Sequence, residues 1–145
     1  MRVDDYLGKA RDSVAETQLA RALRELPEAE AFQFITAYIE REYFVGLILA
    51  RRVLRDPKHF EQILARGFEV ANVSSIRDWV ELGIARLGAR RVLAMFETFA
   101  KSHARAASGF CYWVGILLYK ADPSLRARFK ALEAQTEQEA RGAAR

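Results

Sequence analysis

The sequence predicts an all-α fold of stacked antiparallel helical hairpins, and three observations carry that expectation. Asp-Pro pairs stand at Asp56–Pro57 and Asp122–Pro123. In each, the aspartate suits an N-cap and the proline suits the first helical position, where a missing N–H costs nothing. Strand signals are nearly absent: no stretch alternates steadily, and no Asn-Gly or Asp-Gly turn occurs. Finally, residues 43–49 read YFVGLIL and residues 112–118 read YWVGILL, identical at four of seven positions across an offset of 69.

Taken in order, the first helix is expected over 4–25, containing Ser13-Val-Ala-Glu16 with capping-box spacing. Leu26–Pro27 breaks it, and helices follow over 28–41 and 43–55. Nothing between 41 and 43 stops a helix, so a single helix over 28–55 stays open. Asp56–Pro57 opens 57–70. Ser75-Ile-Arg-Asp78, a capping box with Asp in place of Glu, opens 75–88. Helices over 89–105 and 108–121 come next, and Asp122–Pro123 opens 123–139. In that last helix Leu125, Phe129 and Leu132 share a face opposite a charged one, the pattern of an outer cap.

Aligning the two matching stretches through the segment between them places Phe44, Trp79 and Trp113 in register, at spacings of 35 and 34. Sixteen residues after each comes a second bulky anchor: Phe60, Met95 and Phe129. A two-helix unit of this period is the mark of stacked hairpins, because no unit hides its apolar face without a neighbour. The 145 residues are thus expected to form one domain. It would comprise capping helices over 1–42, three hairpins over 43–139 and a frayed tail over 140–145. An irregular helical bundle is the alternative.

Trp79-x-x-Leu82-Gly83, with Phe99 downstream, resembles the opening of a tetratricopeptide repeat. That family places a small alanine where this chain has Phe60, Met95 and Phe129, which argues against its tight hairpin. Over about 43–139 the chain is more similar to a looser HEAT-like stack. The resemblance implies a binding scaffold and assigns no activity by itself.

Composition narrows the rest. An apolar share of 51% and a charged share of 29% fit a folded domain. One cysteine, Cys111, excludes an intrachain disulfide and suits a reducing compartment, so a cytoplasmic setting is expected. The N-terminus does not read as a secretory signal. The longest uncharged stretch, 14 residues between Arg105 and Lys120, is shorter than the roughly 20 that span a bilayer, so no membrane contact is expected. The net charge is +4, distributed as −3 over 1–42, +5 over 43–110 and +2 beyond.

The strongest candidate site is a basic series. Arg51, Arg86 and Lys120 each stand seven residues after an anchor aromatic; Arg55 and Arg90 follow four later, with Arg52 and Arg91 close by. Stacked on neighbouring helices, such a ladder could meet phosphates or carboxylates. As helix-end cations they would instead satisfy the macrodipole. The aromatic anchors read as core. No metal, cofactor or catalytic motif occurs; His59 and His103 have no helically spaced partner, and Cys111 reads as a buried thiol. A glycosylase-like groove would need Asp78, Trp79 and Trp113. A non-catalytic module for a peptide, helix or protein partner is therefore the leading expectation, with homodimerisation through one end or through 28–49. Nucleic-acid or polyanion binding along the ladder is the alternative.

Overall fold

Aspartate carboxylates open helices here, though not always where a capping box suggests. The computed structural model describes residues 1–143, the side chains of 11 and 143 excepted. Short 3-10 turns at Val3–Asp5 and Lys9–Arg11 precede α1 (Ser13–Arg24), so the expected helix over 4–25 begins later. Gly8, at φ 78, takes a left-handed conformation that stops continuous helix there. Asp12, not Ser13, caps α1, its Oδ1 accepting from Val14 N at 2.8 Å. The other helices are α2 (Glu28–Arg41), α3 (Tyr43–Val53), α4 (Pro57–Val70), α5 (Ile76–Leu87), α6 (Ala89–Ser102), α7 (Ala104–Ala121) and α8 (Arg126–Ala143). No strand occurs among the described residues, and the fold is all-α.

Asp56 caps α4 through Lys58 N at 2.9 Å. Asp122 caps a 3-10 turn, Pro123–Leu125, that leads into α8. Ser75 makes no capping bond with Asp78's turn. Asn72 acts one turn earlier: its Oδ1 accepts from Ser75 N at 2.8 Å, and Ser75 Oγ accepts from Asn72 N at 3.0 Å. The expected tail is helical through residue 143, and 144–145 lie outside the described residues.

The chain divides into two compact units, Met1–Phe60 and Glu61–Arg145, the division falling within α4. In the first unit α3 packs on α2 and α1. Residues 28–55 form two helices because Glu42 (φ −142, ψ 86) leaves helical geometry for one residue. Close packing of α3 on α2 depends on Gly46: a Cβ there would lie 2.5 Å from Ile39 Cγ1 and 2.9 Å from Ile39 Cα. Arg52 ties α3 to α1, donating to Glu16 Oε1 at 2.9 Å and Thr17 Oγ1 at 3.3 Å. Tyr38 Oη donates to the Tyr6 carbonyl at 3.1 Å and fastens the N-terminal turns.

In the second unit α7 packs against α5, α6 and α8. His103 (φ −137, ψ 51) is the single residue between α6 and α7. Phe96 is fully buried among Phe68, Phe99 and Phe129. Trp79 lies on the bare backbone of Gly67, and Phe129 on that of Gly115.

The anchors do not share one environment. Trp79, Phe60 and Phe129 are buried, and Trp113 and Met95 are half-buried. Phe44, expected in the core, is 55% exposed. Residue 45, one helical step of 100° further round, takes the buried position instead, with Gly46, Leu49, Ala50 and Val53. The 69-residue match holds better than the 35-residue one. Val45 and Val114, Gly46 and Gly115, and Leu49 and Leu118 are all buried, while Tyr43 and Tyr112 are both exposed. The two copies use the glycine differently. Gly46 admits the preceding helix, and Gly115 admits the following one.

Candidate functional site

Carboxylates already engage several of the ladder cations. Arg52 pairs with Glu16 at 2.9 Å, Arg91 with Glu61 at 3.1 Å and Arg90 with Asp122 at 3.6 Å. The Arg90 guanidinium also donates to Ser124 Oγ at 3.4 Å. Ser124's hydroxyl donates to Asp122 at 2.5 Å; against the opposing effect of burial, that bond, the Ser124 backbone N–H and the nearby Arg90 hold the Asp122 carboxyl below its ordinary range. Arg51, Arg55, Arg86 and Lys120 are exposed. Arg51 and Arg55 belong to the first unit, and Arg86 and Lys120 to the second.

The first unit holds a group that periodicity does not reveal. Glu28 at the start of α2 accepts from Arg55 N at 3.0 Å and Asp56 N at 2.9 Å. His59 Nδ1 lies 2.7 Å from the same carboxylate, its ring stacked on Phe32 at 4.2 Å. Glu28, Asp56 and His59 have ligating atoms within 4.8 Å of one another. Both Glu28 oxygens are committed to donors, so the group is a brace between α2 and the start of α4 rather than an open ligand set. Partners 31 residues apart carry no helical spacing, which is why the sequence hides them.

Burial pushes the Glu28 carboxyl pKa up, but donation from Asp56 N, His59 and Arg55 N outweighs it and holds the group below its ordinary value. A carboxyl lowered in the folded state contributes stability above its unfolded pKa, lost as pH falls through the folded value. Glu28→Ala is expected to lower stability by about 2 kcal/mol at neutral pH. It should also remove that share of the acid sensitivity. Urea unfolding followed by far-UV circular dichroism at neutral and acid pH checks both.

The one cysteine is not poised as a nucleophile. Cys111 is buried, its thiol donating to the Ala107 carbonyl at 3.3 Å; burial, with Glu133 and Glu137 nearby, pushes its pKa up to about 12. His103 stacks on Phe99 at 4.6 Å and lines a cleft of about 310 Å³ with Phe68, Arg91 and Met95. A groove built on Asp78, Trp79 and Trp113 is not formed, because Trp79 is only 3% exposed.

Exposed aromatics are what the structure offers instead. Tyr43 and Phe44 meet edge to face at 6.4 Å, and Tyr112 and Trp113 at 5.3 Å. Phe44, Tyr43, Val45 and Ile48 line a cleft of about 490 Å³ with Glu16, Arg41 and Glu42 at its polar edge. Expecting Phe44 and Trp113 in the core missed this surface. The identical flank of Tyr43 and Tyr112 was the available signal. No helix is long and apolar enough to cross a membrane among the described residues. No family model, curated protein or solved structure matches the chain.

Proposed function

We propose that the chain is a non-catalytic interaction module, HEAT-like in its stacked hairpins, that binds a peptide, helix or protein partner in a cytoplasmic setting. One observation carries this reading: each copy of the matching stretch presents an exposed tyrosine beside a second aromatic ring, Tyr43 with exposed Phe44 in one unit and Tyr112 with half-buried Trp113 in the other. Aromatic side chains supply much contact area with few rotatable bonds, so they are common anchors of recognition. Polyanion binding is the second reading and rests on exposed Arg51, Arg55, Arg86 and Lys120. It is the weaker one, because carboxylates already occupy Arg52, Arg90 and Arg91.

The test is selection of binders from a displayed peptide library on the intact protein. Enriched peptides are expected, with affinity falling about tenfold or more on Phe44→Ala or Tyr112→Ala while helicity is unchanged. An empty selection, or binders indifferent to both substitutions, overturns the reading.

A further inference from the structure

α7 is apolar nearly all round, and the helices packed on it leave one stripe open. Arg105, Gly109, Tyr112, Ile116 and Lys120 recur at three- and four-residue steps, and every one of them is exposed. Tyr112 is 66% exposed. Trp113 flanks the stripe, with the Arg77 guanidinium 5.1 Å above its ring and Arg77 Nε held by Glu81 at 2.9 Å. Gly109 makes a dent in the middle. A Cβ there would meet only Val73 Cγ2, at 3.7 Å, and Val73 is itself 53% exposed. The dent is thus bordered by the apolar Val73 side chain and floored by the glycine backbone.

Charge selects the occupant. No Asp or Glu lies between Glu97 and Asp122, so α7 carries cations only. Arg105 and Lys120 stand about 22 Å apart along the axis, closing both ends of the apolar turns. Neither has an ion-pair partner among the described residues. A second copy laid on this stripe sets cation against cation whether the two helices run parallel or antiparallel. A lipid surface calls for a protruding apolar face with many cations, whereas this stripe is notched and has two.

We propose that the stripe docks an amphipathic helix of a protein partner, with carboxylates at both ends of its apolar face and one bulky side chain seated in the Gly109 notch. This deepens the interaction-module reading and rests on it.

Peptides enriched on the intact chain from a displayed library of helices provide the probe. They are expected to carry Asp or Glu on both flanks of an apolar stripe. Tyr112→Ala and Gly109→Leu should each weaken them about tenfold. Gly109→Leu should meanwhile raise the melting temperature, since leucine favours helix where glycine does not. That rise separates lost docking from lost folding. The double reversal Arg105→Glu, Lys120→Glu should exchange the preference to lysine-flanked helices.

Enriched helices that bind both single variants at full strength, or that carry basic flanks, overturn the proposal. So does sedimentation showing a dimer that Tyr112→Ala dissociates, or phosphatidylserine vesicles bound through the same residues with no helix enriched. Binding lost only on Phe44→Ala sinks this inference but leaves the module reading standing; a library that yields no binder at all sinks both.

Discussion

Phe96→Ala should cost about 4 kcal/mol of folding stability. The ring is fully buried and touches three others, with centroid distances of 5.5 Å to Phe68, 6.3 Å to Phe129 and 6.5 Å to Phe99. Those rings come from α4, α6 and α8 and are locked by the same packing, so the cavity cannot close. On a total of about 5–15 kcal/mol, such a loss leaves little margin. Both tryptophans, Trp79 and Trp113, lie in this unit, and their fluorescence through a urea titration reads the change. Phe44→Ala is the control and should stay within about 0.5 kcal/mol, because its ring faces water. Equal losses for the two would refute the assignment of core and surface.

The second large effect comes from adding one methyl group. Gly→Ala in an open helical position stabilises by about 1 kcal/mol. At Gly46 the sign should reverse, with a net loss of about 3 kcal/mol. The new Cβ would stand 2.5 Å from Ile39 Cγ1 and 2.9 Å from both the Cα and N of Ile39. A side-chain tip can swing away, but backbone atoms of α2 cannot move without parting α2 from α3. Residues 1–60 contain no tryptophan, so far-UV circular dichroism is the signal to follow. A raised midpoint for Gly46→Ala would mean that the two helices are less closely seated than described.

Helix identity was legible because its causes are local. Asp56 and Asp122 cap as their Asp-Pro pairs predict, and α2, α4 and α7 end where expected. The misses have causes at a distance or choices among near-equal neighbours. Glu42 has no breaker chemistry; the chain turns there because Gly46 lets α3 close on Ile39. Asp12 competed with Ser13 for one cap and won. Phe44 and Val45 are both apolar, and hydrophobic pattern alone does not say which faces α2. The Glu28–His59 brace joins elements 31 residues apart, and the ladder arginines find carboxylates that spacing could not reveal. The exposed aromatics were visible as letters but were read as core, since apolar character is common to cores and docking faces.

The single-residue reversals at Glu42 and His103 also bear on how the chain reaches its native state. Each joins two helices that then pack on one another, so the partners are already neighbours along the chain and closing the hairpin removes little loop entropy. Ordering can start independently at several such corners instead of waiting for distant segments to meet. Topologies of this kind reach their native state in microseconds to milliseconds, sooner than sheet proteins of equal size. Speed leaves only a short interval in which the greasy faces of unfinished hairpins stand open to other molecules.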